Sequence, residues 1–233
     1  MLSRNEIGRY SRQLLLPGWD RAVQERLLEA RVLVVGSGGL GTPVLTYLAG
    51  AGVGHLGLCE FDTVSLSNLQ RQTLFATHDV GRPKAEVAAA RLQQLNPYTR
   101  VLRLGRLEAQ RSAALVQDFD LVLDCSDNAE ARYLVSDSCA ALGRSWVWGA
   151  AEGFEGMVST FDADFTLRDL FPQLEEVRAD CDTVGVVGPL LGVVGSTMAL
   201  EALRLLTGLG ESLRGRLWTY DALSGEARTL RLR

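Results

Sequence analysis

No CxxC pair occurs in this chain: its four cysteines, Cys59, Cys125, Cys139 and Cys181, stand far apart, and only two histidines accompany them. Such spacing argues against a zinc site and, in a reducing compartment, against structural disulfides. Runs of like charge are missing as well. No five consecutive residues share a sign, and 24 Lys+Arg against 28 Asp+Glu leave a formal net charge of −4. That balance gives no electrostatic footprint for nucleic acid or for an anionic membrane surface, so neither is expected as a partner. The amino terminus, MLSRNEIGRYSRQ, lacks the apolar stretch that a secretory signal needs, and a cytoplasmic location is expected. One uncharged stretch, 184–200, tempts a membrane reading. Its 17 residues fall short of the roughly 20 needed to cross a bilayer. They also include Gly185, Gly188, Pro189, Gly192 and Gly195, so they read as a loop entering a buried helix at a subunit interface, and no membrane span is expected.

What is present is a globular composition. The chain has 233 residues, 47% of them hydrophobic and 22% charged, which is long enough to bury a sizeable core without disulfide or metal staples. Ser3 followed by Glu6 has capping-box spacing, and Ile7, Tyr10 and Leu14 follow at helical intervals, so a helix is expected there, ended by Pro17 and Gly18. A second helix over 22–30 leads into the apolar run 32–35, the pattern of a strand buried on both faces. Similar runs at 55–59, 101–104, 121–123 and 146–149 alternate with helical stretches at 40–49, 84–95, 109–117 and 129–142. This alternation predicts a mostly parallel sheet wound with helices on both faces. Beyond residue 149 the pattern changes. A strand is expected over 153–161, an irregular polar loop over 162–182, a helix over 196–206, and a terminal antiparallel hairpin, 215–220 and 227–232, turning at Ser224-Gly225. The fold class is therefore α/β, with a C-terminal antiparallel extension. A single domain, 1–233, is the simplest organisation: N-terminal helices 1–30, a half 31–150 that carries the alternating strands and helices, and a second half 151–233 that carries the long loop.

Gly36-Ser-Gly38-Gly39-Leu-Gly41 comes directly after the first strand and opens a helix, the context in which this glycine pattern has meaning. Glycines permit a tight turn and close approach of phosphate, and the helix N-terminus offers free N–H groups. Glu60 ends the second strand, where a carboxylate commonly binds ribose hydroxyls, so an adenosine nucleotide is expected in a Rossmann-like fold. The fingerprint alone suits an NAD(P)-dependent oxidoreductase. The segments beyond the second strand argue for a more highly charged nucleotide. Asp62-Thr-Val-Ser-Leu-Ser-Asn68-Leu-Gln70-Arg71-Gln72 and Gly81-Arg82-Pro83-Lys84 bring extra cations beside the glycine turn. A dinucleotide's single pyrophosphate does not need them and a triphosphate does. At the end of the fourth strand, Asp124-Cys-Ser-Asp127-Asn128 puts a carboxylate at the edge of the sheet where ligands bind. A carboxylate there suits Mg²⁺ held together with substrate phosphates. Helix capping by Asp127 is the alternative and compatible reading.

These segments, together with Arg9-Tyr10-Ser11-Arg12-Gln13, resemble the ThiF/MoeB/HesA adenylyltransferases, bacterial relatives of ubiquitin-activating enzymes, over nearly the whole chain. The resemblance implies ATP and Mg²⁺ as cofactors and, as partner, a small ubiquitin-like sulfur carrier ending in Gly-Gly. The carrier's tail carboxylate would attack the α-phosphorus, and sulfur would then be delivered to the activated carbonyl in thiamine or molybdopterin biosynthesis. Carried over residue by residue, Gly36, Gly38, Gly39 and Gly41 form the nucleotide turn, with Gly39 against the nucleotide. Glu60 meets the ribose, Asn68, Arg71 and Lys84 hold the phosphates, and Asp127, beside Asn128, binds Mg²⁺. Arg12 matches an arginine supplied across a dimer interface, and the family is usually a homodimer.

Departures from the pattern matter too. Many members of the family hold a structural zinc with two CxxC pairs. Here Thr166-Leu-Arg-Asp169 replaces the first and the chain stops at Arg233 with no second, so no zinc is expected. Glu60 stands where Asp is more usual. Cys181, in Asp180-Cys181-Asp182-Thr183, matches a loop cysteine that thiamine-type members can link covalently to the carrier. Its acidic neighbours disfavour the thiolate, so the residues leave open a covalent cysteine, sulfur brought by a separate sulfurtransferase, or an idle thiol. Two other classes compete with the enzyme: a non-catalytic module that docks a ubiquitin-like protein, disfavoured by Arg71, Lys84 and Asp127 occurring together, and the oxidoreductase, disfavoured by the surplus cations.

Overall fold

The structure, a computed structural model, describes residues 1–172 and 185–233. Cys181 and its neighbours, the candidate for a covalent role, lie outside the described residues.

Local signals set the first elements. Helix α1 (Arg4–Tyr10) is closed by a capping box in which Ser3 N donates to Glu6 Oε2 at 2.8 Å and Ser3 Oγ accepts from Glu6 N at 3.3 Å. Asp20 caps α2 (Arg21–Glu29), accepting from Val23 N at 2.9 Å. Next along the chain come β1 (Arg31–Val35), α3 (Gly41–Ala51), β2 (His55–Cys59), α4 (Lys84–Leu95), β3 (Arg100–Arg103), α5 (Ala109–Gln117), β4 (Leu121–Asp124), α6 (Ala129–Ala141) and β5 (Trp146–Glu152). The rest of the described chain forms β6 (Glu155–Phe161), α7 (Leu167–Leu170), α8 (Gly188–Thr207), β7 (Arg216–Asp221) and β8 (Glu226–Arg231).

The eight strands among the described residues join one sheet in the order β3-β2-β1-β4-β5-β6-β7-β8. The first five are parallel and the last three pairings antiparallel. Successive strands β1, β2 and β3 step one way from β1, whereas β4 and β5 lie on its other side. In open α/β sheets such a reversal leaves a crevice at the carboxyl ends of the two central strands. Register brings those ends level, since Val35 pairs with both Cys59 and Asp124.

Alternation along β1 sorts the core into two layers. Val32 and Val34 pack with Leu45, Leu48 and Met198 on the α3/α8 side, and Leu33 and Val35 pack with Val116, Val135, Trp146 and Trp148 on the α5/α6 side. Each fully buried aliphatic side chain contributes about 1.5–3 kcal/mol relative to exposure. The second layer carries an aromatic cluster, with ring centroids 5.4 Å apart for Trp146–Phe161 and 5.7 Å for Trp148–Phe171.

Besides α1, which stops at Tyr10 and continues only as turns where a helix through Leu14 to Pro17 was expected, two elements differ from the sequence reading. The last helix begins at Gly188, well before residue 196. Pro189 occupies its first turn, where a missing N–H costs nothing. A Cβ on Gly195 would stand 2.4 Å from Pro43 Cγ and 2.7 Å from Leu40 O, so the bare backbone is what lets α8 lie against α3. This helix is long and apolar enough to cross a membrane, yet its Leu190, Leu191, Val194, Met198 and Ala202 are core residues. The second difference is α7, within the stretch read as irregular. Thr166 and Asp169 form its capping box, with Thr166 N and Oγ1 donating to Asp169 Oδ2 at 2.7 and 2.8 Å.

Candidate active site

The crevice between β1 and β4 is a cleft lined by Gly36 and Gly38 of the glycine turn, Glu60 and Asp62 after β2, Gln72, Lys84, and Ser126, Asp127 and Asn128 after β4. Its far wall is apolar and includes Leu107, Ala131 and Leu134, with Arg106 stacked over the Phe61 ring at 4.7 Å.

Steric necessity accounts for the glycine turn. Gly36 takes φ +93°, and a Cβ there would stand 2.9 Å from Cys125 O. A Cβ on Gly41 would stand 2.1 Å from Gly36 O, a contact between two backbones that no rotamer relieves. Gly39 backs onto α8, where its Cβ would meet Leu191 Cδ1 at 2.5 Å. Helix α3 starts here with no side-chain cap on its first turn.

Glu60 is buried at the floor of the cleft. Its Oε2 accepts from Ser37 N at 2.9 Å and Ser37 Oγ at 2.7 Å, and its Oε1 accepts from Phe61 N at 2.8 Å and Asp62 N at 2.9 Å. A carboxylate has about four acceptor positions, so this one is saturated by its own chain and holds the glycine turn and the β2 exit together.

Lys84 opens α4 with its side chain 7% exposed, its Nζ 3.3 Å from Asp62 Oδ2 and its backbone N donating to Asp62 O at 2.9 Å. The approach to Lys84 is fixed by Asp79, which is buried. Asp79 accepts from Ala76 N at 2.9 Å and Arg82 Nη1 at 3.0 Å, pairs with Arg91, and has His78 Nε2 at 3.5 Å. Burial pushes the Asp79 carboxyl up, but the Ala76 N–H with Arg91, His78 and Arg82 together outweigh it and hold the group below the ordinary carboxylate range.

At the end of β4, Asp124 is fully buried. Its Oδ1 accepts from Ser126 N at 3.0 Å and Ser126 Oγ at 2.6 Å, and burial raises its carboxyl against the pull of Arg132 and Ser126. Arg132 Nε and Nη2 donate to Ser126 O at 3.4 and 3.3 Å, so this loop is braced from below. Asn128, rather than Asp127, caps α6, accepting from Ala131 N at 2.9 Å. The capping alternative for Asp127 is thereby corrected. Asp127 is exposed in the cleft with its carboxylate not used by the helix, a donor that fits the Mg²⁺ habit of one or two carboxylates plus phosphate oxygens.

Not every candidate reaches the cleft. Arg71 is half-buried outside it, its Nη1 donating to Ser67 O at 3.2 Å, and Asn68 accepts from Ser65 N at 3.3 Å. Arg12 is exposed just after α1, away from this cleft. Its neighbour Gln13 borders a separate apolar depression with Tyr47, Gly50, Leu200 and Leu203. Cys59 and Cys125 line the cleft as thiols, since burial pushes Cys59 up to about 12 and Cys125 well above its ordinary range. Gln72 and Arg106 are cleft residues that motif reading passed over, and so is the role of Ser37, which is buried beneath the turn and holds Glu60. Gln72 and Ser37 fall inside the quoted motifs, whereas Arg106 comes after β3 in a stretch with no signature.

Comparison with known proteins adds to this geometry. The ThiF family profile matches residues 10–233. The chain is 46% identical to the sulfur carrier protein adenylyltransferase of Thermus thermophilus, covering 99% of this chain and 89% of that protein. It is 43% identical to the molybdopterin-synthase adenylyltransferase of Escherichia coli K12 (99% and 94% covered). To the sulfur carrier protein ThiS adenylyltransferase of the same organism it is 44% identical (97% and 91% covered). Among solved structures, PaaA superposes with a TM-score of 0.84 at 23% identity over 99% of this chain and 75% of that one, a likeness of fold.

Proposed function

From the premise that this chain belongs to the ThiF family, we propose that it is an adenylyltransferase acting on the C-terminal glycine of a small ubiquitin-like sulfur-carrier protein. The observation that carries the reading is the meeting, in one cleft, of a glycine turn that excludes side chains, the buried cation Lys84 and the uncommitted carboxylate Asp127. Relatives named for a sulfur carrier, for ThiS and for molybdopterin synthase support thiamine or molybdopterin biosynthesis as the setting.

The nucleotide's phosphates lie on the turn and the open first turn of α3, and its base lies against Leu107, Ala131 and Leu134. The carrier's carboxylate attacks the α-phosphorus. A new phosphorus–oxygen bond forms to the carboxylate, the bond between the α-phosphorus and its β-bridging oxygen breaks, and the electron pair leaves with pyrophosphate. Lys84 faces the developing charge, and Arg71 turns from the Ser67 carbonyl to add its planar donors. Asp127 would hold Mg²⁺, which supplies charge neutralisation to the phosphates when bound. Glu60 accepts a ribose hydroxyl in place of the Ser37 hydroxyl, the one of its four donors free to rotate. Arg12 completes the site of a second copy in a homodimer whose interface includes Tyr47 and Leu200, both more than half exposed. Because Cys59, Cys125 and Cys139 are buried thiols held protonated, sulfur comes through Cys181 or from a separate sulfurtransferase.

Exchange of radiolabelled pyrophosphate into ATP tests the proposal. Exchange is expected only with MgATP and a carrier ending in Gly-Gly. No exchange with any such carrier, or turnover of NAD(P) instead, would overturn it.

A further inference from the structure

We propose that the side-chain amide of Gln72 is a phosphate ligand of the cleft, its N–H donating to a non-bridging oxygen of the nucleotide laid along the glycine turn; this rests on the cleft being a nucleotide site. Gln72 is only 4% exposed, yet it lines the cleft. Its Oε1 is buried with no partner, and among the described residues its amide makes no hydrogen bond at either end. The Nε2 atom lies 3.5 Å from where a Cβ on Gly38 would stand, which puts the donor over the turn itself. The backbone fixes it there, with Gln72 N donating to Asn68 O at 2.9 Å and Phe75 N to Gln72 O at 3.0 Å.

Buried polar groups in folded proteins are nearly always paired, and of this amide's two ends the orphaned, buried Oε1 is an acceptor that a phosphate does not satisfy, whereas the Nε2 donor over the turn, without a partner among the described residues, can take an acceptor that arrives in the cleft. Phosphate oxygens accept and never donate, which matches the Nε2 end above Gly38. The division of labour is also physical. Lys84 neutralises charge from a flexible stem, whereas a short, buried amide gives direction to a single bond, the property that makes an oxyanion-type donor effective. The ligand class is accordingly a nucleoside phosphate, with the bare nucleoside indifferent to Gln72.

Gln72→Met keeps the length and removes both polar atoms, and Gln72→Glu keeps the shape while removing the donor and adding negative charge. ATP and adenosine binding by calorimetry, pyrophosphate exchange, and the unliganded Tm are measured for wild type and both variants. Gln72→Met is expected to keep or raise the Tm, to leave adenosine affinity within about twofold, and to lower exchange on the order of 10²–10³. Gln72→Glu is expected to lose ATP affinity further while still binding adenosine. Wild-type ATP affinity and exchange in Gln72→Met, or loss of adenosine in step with ATP in both variants, would overturn the assignment. Should Gln72→Met fail to fold, the ATP-to-adenosine ratio in Gln72→Glu decides alone. A wild type that binds ATP no better than adenosine would refute the nucleotide reading itself, a result distinguishable from failure of the Gln72 assignment.

Discussion

Adjacent residues at the mouth of the cleft divide two tasks. Asn128 caps α6 and Asp127 is left to the ligand. Asn128→Ala is therefore expected to cost about 1 kcal/mol of stability. Asp127→Ala, like Lys84→Ala and Arg71→Ala, is expected to leave the Tm nearly unchanged while lowering exchange on the order of 10²–10³. Wild-type exchange in any two of these three would contradict the assigned roles. Asp79 makes the complementary case of a charge spent on architecture. Its carboxyl titrates below the ordinary range in the fold, so the folded chain binds fewer protons than the unfolded chain between the two values. The stability it supplies is complete above the unfolded value near 4 and is lost as pH falls through the lower folded value. Asp79→Asn should cost roughly 1–3 kcal/mol, with a Tm deficit that is steady from about pH 8 to 5 and closes below about pH 4. A deficit that widens toward acid would show the sign to be wrong.

At the scale of elements, backbone contacts decide what the glycines do. A Cβ on Gly41 has nowhere to go beside Gly36 O, whereas one on Gly8 of α1 meets nothing within 4 Å. Gly41→Ala is expected to lose at least about 1–3 kcal/mol, and Gly8→Ala to gain about 0.5–1 kcal/mol. Equal Tm shifts in the two would contradict this reading. The strands and helices around the cleft were legible because each buried face repeats at its own period, as in Val32–Val35 and 84–95. The start of α8 was not, because Gly188, Gly192 and Gly195 look like loop residues until Pro43 and Leu40 are seen packed against the last of them. Four-residue α7 is too short to show a period. The motifs likewise pointed to Lys84 and Asp127 but not to Gln72, whose unpaired state depends on partners absent from the fold.

For the whole molecule, the cleft and the apolar depression beside Arg12 are separate features of one chain. If Arg12 serves the neighbouring copy, mixing inactive Arg12→Ala with inactive Lys84→Ala chains should restore exchange, since each mixed dimer holds one intact site. Mixed dimers shown to form without recovered activity would remove Arg12 from the site. The central claim is that this cleft joins the carrier's terminal carboxylate to the α-phosphorus of ATP. Its most direct test is the intact mass of a Gly-Gly carrier incubated with the protein and MgATP without a sulfur donor, read alongside the nucleotide products. The carrier should gain one adenylyl group, with one pyrophosphate released for each group added and no gain when the terminal glycine is deleted. Release of ADP and phosphate, or a carrier of unchanged mass while ATP is bound, would contradict it.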